Sequence, residues 1–431
     1  MKSFPLCRDA IGFCGVVALL AACGGLREPQ DGMPPPAGGA MPQILAPSTT
    51  TPYQVLHNFG DVPGDGKNPY AGLLDLQGTL YGTTAYGGGE GHLGTVYSVS
   101  TDGTEKVLHR FHGGATDGAN PVAALIAVNG TMYGTTSAGG SAGLGTVFSV
   151  TTDGSETILY SFKGQPDGST PQAPLIDVNG MLYGTTSEGG TSGSVCTRGC
   201  GTVFSITPSG SENLVYSFKG GSNGLQPVSG LLNVGGVLYG TTLSGGETIT
   251  SGSDCSNSTD QFGCGTVFRV TTAGEQKVLH SFDTATDGAF PEGALIEVKG
   301  TLFGTTALGG ADILGTVFTI TTNGKERVLY SFGQGSDGLS RPLNLVDVHG
   351  TLYGTAYSGG TRSGGFGGIY GITTSGTLST LHLFTGGLDG GNPFGALAYM
   401  NGRLYGTTVG GGTPRCRGSY LNCGTVFALT P

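Results

Sequence analysis

One phrase recurs seven times along the chain and constrains its fold more than any other feature. Leu-Tyr-Gly-Thr-Thr, or a close variant, begins at Leu80, Met132, Leu182, Leu238, Leu302, Leu352 and Leu404. The spacings are 52, 50, 56, 64, 50 and 52 residues, with a mean of 54. A fixed period marks a repeat architecture. This one is too long for ankyrin, TPR or leucine-rich units and suits a four-stranded propeller blade.

The third copy shows four strand-like runs. Strand A is expected over 175–178 and strand B over 181–186, joined by Asn179-Gly180, a favoured type I′ hairpin pair. Strand C is expected over 201–207 and strand D over 213–218. Strand C carries adjacent apolar residues, as in Val203-Phe204 and Val317-Phe318. A one-faced sheet would alternate, so both faces are expected to be covered, as in blades packed around a ring. Pro69, Pro121, Pro171, Pro227, Pro291, Pro342 and Pro393 each precede strand A. Proline cannot donate to a ladder and suits a strand start on an inner edge. The repeats open with a lone strand D, 55–59, and stop after a strand C, 424–429. Pairing these two completes a seventh blade and hides two edges. The expectation is all-β: a seven-bladed β-propeller of four-stranded blades, with the N-terminal strand completing the last one.

Composition supports this. There are 85 glycines without a Gly-X-Y period, sitting at fixed turn positions. The net charge is −10 and only 11% of residues are charged, which argues against a nucleic-acid surface.

The first 23 residues have the form of an export signal. Lys2 and Arg8 precede an apolar stretch, 11–22, that is too short to span a membrane as a mature helix. It ends in Leu20-Ala21-Ala22-Cys23, which resembles the bacterial lipoprotein signal with Cys23 as the lipidated residue. Gly24 follows where an inner-membrane retention signal would place Asp, so an outer-membrane or cell-surface location is expected. Residues 24–51 are rich in Pro, Gly, Ala and Ser and form a flexible tether. The propeller occupies 52–431.

Six cysteines remain after Cys7, Cys14 and Cys23. They fall into local pairs: Cys196 with Cys200, Cys255 with Cys264, and Cys416 with Cys423. Each pair precedes Gly-Thr-Val-Phe, and an exported chain meets oxidising conditions, so disulfides are expected. Zinc is the rival at Cys196-x₃-Cys200, but the other spacings are looser.

The phrases Gly-Thr-Leu-Tyr-Gly-Thr-Thr, Gly-Gly, Gly-Thr-Val-Phe-x-Ile-Thr and Leu-Tyr-Ser-Phe together resemble the GloVer tandem repeat of bacterial choice-of-anchor exported proteins. The resemblance covers about 53–431 and implies a propeller-like exported protein, without implying an activity. Phe303, Ala356 and the run Phe366 to Tyr370 depart from the pattern. Kelch, WD40, quinoprotein and Asp-box blades lean on Trp, and the chain has none.

Candidate sites follow from the blade scheme. The B–C and D–A loops share one face, where repeat proteins place recognition. Arg415, Arg417 and Tyr420 in the last B–C loop are candidate contacts. Strand A carries Asp75, Asp177, Asn233, Glu297 and Asp347, a candidate polar wall or cation site in the channel. Asp65, Asp117, Asp167, Asn223, Asp287, Asp337 and Asp389 recur in the D–A loop, where Asp-Gly turn chemistry competes with Ca²⁺ binding. His57, His109, His280 and His382 occupy the position of Tyr160, Tyr216 and Tyr330, which suggests a shared packing and hydrogen-bonding task. No Ser-His-Asp pattern emerges. The expected function is a cell-envelope lipoprotein with a non-catalytic binding or scaffold propeller for a glycan or protein partner. Its membrane contact would be the Cys23 lipid only, with no cofactor beyond a Ca²⁺ ion at most. The alternative is a hydrolase or lactonase-type propeller with a channel metal.

Overall fold

The computed structural model describes residues 53–431 apart from 193–195, 247–254, 256–262, 285, 334–337, 361–364 and 414–422. The described residues form seven four-stranded antiparallel blades. Blade 1 comprises Leu74–Leu76, Thr79–Thr84, Thr95–Val99 and Glu105–Arg110, named strands A to D in that order. Blades 2 to 5 repeat the order; blade 3 is Ile176–Val178, Met181–Thr186, Thr202–Ile206 and Glu212–Ser217. The expected boundaries hold to within a residue. In the A–B turn, Asn179 and Gly180 both have positive φ, 56° and 85°, as type I′ requires.

The ring closes through two contacts. Each strand A neighbours the strand A of the next blade, and the seventh, Ala398–Met400, neighbours the first. At the outer rim, Gln54–Asn58 pairs antiparallel with Thr425–Leu429 and supplies strand D of blade 7. The N-terminal strand therefore completes the last blade, as expected.

Seven hydrophobic clusters lie in the seven gaps between blades. The adjacent apolar pair on strand C feeds two of them. Val203 packs with Leu238 and Phe268 of blade 4, while Phe204 packs with Tyr133 and Val147 of blade 2. Strand C is thus buried on both faces. The cysteine position just before strand C belongs to this core. Cys200, Cys264 and Cys423 are fully buried where Leu93, Leu144, Leu314 and Phe366 stand in the other copies. Cys196–Cys200 and Cys255–Cys264 are disulfides. Cys423 is also disulfide-bonded; its expected partner Cys416 lies outside the described residues.

The glycine of Leu-Tyr-Gly-Thr-Thr is dictated by packing. Gly184 lies opposite Phe204 in the ladder, and a Cβ there would sit 2.6 Å from Phe204 Cζ and 2.8 Å from Leu175 Cδ2. Gly184→Ala is expected to destabilise by about 1–3 kcal/mol through overpacking. An unchanged melting temperature would refute this packing account.

Blade 6 departs from the pattern as a unit. Elsewhere a buried threonine pair bridges strands B and C, for example Thr186 with Thr202 at 2.7 Å. Blade 6 has Ala356 and Gly368 instead. The fully buried Leu339 fills the vacated space, its Cδ2 2.9 Å from where a Gly368 Cβ would be. Strands A and B extend accordingly to Leu339–Val348 and Thr351–Gly359.

Candidate functional site

The D–A and B–C loops do share one face. Short pairings link them: Gly66–Lys67 with Tyr86–Gly87, Gly118–Ala119 with Ala138–Gly139, and Gly168–Ser169 with Glu188–Gly189. Where this face meets the channel, the residue before each proline adopts positive φ. Asn68, Asn120, Thr170, Gln226, Phe290, Arg341 and Asn392 all have φ between 54° and 57°. This region is strained for side chains other than Gly, Asn and Asp. Each N–H donates to the preceding blade, as from Gln226 to Cys200 O at 2.9 Å and from Arg341 to Leu314 O at 2.9 Å. The backbone is the same in every blade while the side chain varies, which suits a display position.

At one sector the displayed residues converge. Arg341 makes a bidentate ion pair with Glu292 at 2.9–3.1 Å, the side chains only 12% and 5% exposed. Its guanidinium lies 4.8 Å from the Tyr357 ring centroid. Tyr357 meets Phe394 edge-on at 6.1 Å, and Phe394 meets Tyr70 at 5.5 Å. Burial lifts the Tyr357 hydroxyl above its ordinary pKa, against the pull of Arg341. None of this repeats. Glu292 corresponds to Val122, Gln172 and Val228 in blades 2 to 4, and Tyr357 to Ser137, Ser187 and Leu243.

The rim around the same sector is apolar. Val62 and Leu388 in D–A loops, and Tyr86, Ile313, Leu314 and Phe366 in B–C loops, are exposed; Leu388 reaches 68%. Among the described residues only Leu214 and Tyr399 join them as large exposed hydrophobics, so the exposed apolar surface concentrates on this face from blade 5 round to blade 1. Concentrated exposed apolar surface marks an interaction site.

A second set of polar groups lies between blades at the outer strands. In every blade the C–D register shifts by one residue, a bulge, as between Val203 and Phe204. A bulge re-aims the next side chain. Here it turns His57, His109, Tyr160, Tyr216, His280, Tyr330 and His382 towards the blade joint. The D–A aspartates organise the same joints. Asp65 accepts the Gly60 and Gly66 N–H groups at 2.7 and 2.6 Å, and Asp167 those of Lys163 and Gly168 at 2.9 and 2.6 Å. The first residue of strand D in the next blade completes the joint: Glu105, Glu156, Glu212, Gln276 or Glu326. Where the loop residue is Asn223, the strand residue is Gln276, and they bond directly at 3.0 Å. Tyr53 takes this position in blade 7 and stacks on His382 at 3.9 Å. Burial opposes ionisation of Asp117, yet His109 and the N–H groups of His112 and Gly118 hold it below the usual carboxylate range.

Burial, reinforced by Asp167, pushes Glu212 up to about 7 from 4.5, while Tyr160 and Lys163 pull it down. A raised folded pKa means that the contribution of Glu212 is intact below about pH 4.5 and is lost as the pH climbs to about 7. Glu212→Gln, which copies Gln276, is expected to flatten that fall. The half-exposed position reduces the full linkage to about 1–2 kcal/mol between about pH 4.5 and 7. Denaturant melts of both proteins across this range check it; parallel curves would remove Glu212 as the cause.

The other residues singled out by the sequence are placed as follows. Asp75, Asp177 and Asp347 are exposed on strand A, and each accepts the N–H of its own A–B turn glycine, Gly78, Gly180 and Gly350, at 2.8–3.0 Å. Glu297 does the same to Gly300. They stand on four different blades. Arg415, Arg417, Tyr420 and Asp337 lie outside the described residues. The Glu292–Arg341–Tyr357 sector escaped sequence reasoning, although its signal was there: non-repeated residues at positions fixed by the repeated prolines.

The family profile of the Gloeobacter/Verrucomicrobia repeat matches residues 43–253 and 255–431. No curated protein matches the chain. Among solved structures, PorZ, a surface component of the type-IX secretion system of Porphyromonas gingivalis, is similar with a TM-score of 0.50 and 15% identity, over 86% of this chain and 47% of that one. A putative 6-phosphogluconolactonase from Bacteroides uniformis is similar with a TM-score of 0.48 and 14% identity, over 76% of this chain and 88% of that one. The PQQ-bound aldose sugar dehydrogenase of Streptomyces coelicolor is similar at 0.41 and 14%, over 76% and 99%. At these identities the likeness is one of fold.

Proposed function

The chain belongs to the Gloeobacter/Verrucomicrobia repeat family, and from that premise we propose that it is an exported, lipid-anchored propeller whose B–C and D–A face binds a protein partner without catalysis. One observation carries the reading: the exposed large apolar side chains gather on that face, in the sector around Arg341 and Tyr357. An apolar rim around an Arg and aromatic centre has the composition of protein interfaces. Cys23 would carry the lipid and residues 24–51 the reach.

Photo-crosslinking in the native host tests it. A crosslinker at Leu388 or Ile313 is expected to capture one common protein, and one at Leu214, on an outer strand, is not. Leu388→Asp with Ile313→Asp is expected to abolish capture. Equal capture from all three positions, or from none, would refute the face. Cys23→Ser is expected to move the protein from the membrane to the soluble fraction of the same cells.

A further inference from the structure

We propose that the blade joints built on His57, His109 and His280 are binding sites for a divalent transition metal of the zinc class, each stapling two neighbouring blades. The inference does not rest on the partner face, although Asp65 shares a D–A loop with Val62 of its rim.

Each of these joints brings one imidazole nitrogen and two carboxylate oxygens within 4.8 Å of one another. The donors come from strand D of one blade, the following D–A loop and strand D of the next blade. A metal there would tie together parts that the chain joins only through a loop. His57 Nε2 stands 3.3 Å from Asp65 Oδ2, and His109 Nε2 stands 3.4 Å from Asp117 Oδ1. These match the edge of a tetrahedron with zinc bonds of about 2.0–2.1 Å, roughly 3.3–3.4 Å. The His280–Asp287 pair is closer, at 2.7 Å.

A second observation is that each of these joints keeps an unused acceptor. Oε1 of Glu105, Glu156 and Glu326 is buried in each joint and has no hydrogen-bond partner. In the neutral joint Asn223 Nδ2 donates straight to Gln276 Oε1, and the atom left over is a nitrogen, Gln276 Nε2, which cannot ligate a cation. In every charged joint the glutamate oxygen is left over, at Glu212 as at Glu105, Glu156 and Glu326, so the imidazole is what sets the three sites apart.

The surroundings prepare the donors. The Asp65 oxygens each accept one loop N–H, which orients the carboxylate and leaves each oxygen a lone pair. Phe59, Phe111 and Phe282 meet the three imidazoles edge-on at 4.8–4.9 Å and fix the ring planes. At the second joint the exposed His112 Nδ1 lies 3.4 Å from Asp117 Oδ2, the oxygen that does not face His109. One nitrogen with two carboxylates suits zinc or manganese; Ca²⁺ asks for six or more oxygens.

The molecule contains its own control. The Tyr160 joint keeps both carboxylates, and Glu212 Oε1 is unpaired there too, but the phenol donates to Asp167 at 2.9 Å and no nitrogen is present.

The test is Zn²⁺ titration of the full exported chain after chelation, read by calorimetry and by melting temperature. Three saturable equivalents and a raised melting temperature are expected. His57→Tyr, His109→Tyr and His280→Tyr copy the protein's own Tyr160 and should fold; each is expected to remove one equivalent, and the triple variant all three. Glu212→Gln is expected to retain three. No saturable uptake, uptake unchanged in the triple variant, or loss of an equivalent in Glu212→Gln would each overturn the proposal.

Discussion

Deleting the chain through Asn58 is expected to destroy the cooperative fold of the whole ring. Among the described residues the lost strand Gln54–Asn58 is the one hydrogen-bonded outer partner of Thr425–Leu429. Its ladder bonds, at about 1 kcal/mol each, and the packing of Tyr53 and Leu56 sum to roughly 5–8 kcal/mol. That rivals the total stability of an ordinary domain. The deletion also bares strand C of blade 7 as an open edge, so association should accompany the loss. Circular dichroism melts and size-exclusion chromatography read both effects. A synthetic peptide covering 53–59, added in trans, is expected to restore part of the melting transition. A truncated chain that melts cooperatively near the original temperature would show that the ring does not depend on closure at this blade.

Removing either half of the Glu292–Arg341 pair is expected to cost about 3–5 kcal/mol, because the survivor becomes an uncompensated buried charge. Arg341→Ala leaves Glu292, 5% exposed, without its guanidinium and takes the cation from the Tyr357 ring. Replacing both together, as Glu292→Leu with Arg341→Met, is expected to recover most of the loss, since apolar isosteres carry no desolvation cost. Denaturant melts of the two single variants and the double variant form a complete cycle. A small loss in both singles would mean that water reaches the pair and that this sector is a solvated mouth. Crosslinking from Leu388 in the double variant then separates stability from recognition: a properly folded double variant that loses capture places the charges in the partner contact.

The repeat, its period, the strand order, the closing strand and the cysteine pairs at 196–200 and 255–264 were all legible from the chain alone. The reason is physical: each blade meets the same environment, so the same position sees the same neighbour seven times, and local rules of turn, alternation and proline placement apply unaveraged. The seven His/Tyr positions were legible as one class for the same reason. What they faced was not, because the joint combines strand D of one blade, the next loop and strand D of the following blade, and a strand bulge decides which way the imidazole points. The positive φ of Arg341 was likewise hidden, since an inter-blade hydrogen bond to Leu314 O holds it. Asp75 and Asp177 show the opposite lesson. Sequence placed them on the channel strand, and the tertiary structure engages each with its own turn glycine. The chain by itself determined the architecture, because architecture here is a local rule repeated; only the assembled ring decided which non-repeated side chains meet, because blade-on-blade packing brings Glu292 of blade 5 to Arg341 of blade 6 and Tyr357 to Phe394 of blade 7, and ring closure brings Phe394 to Tyr70 of blade 1.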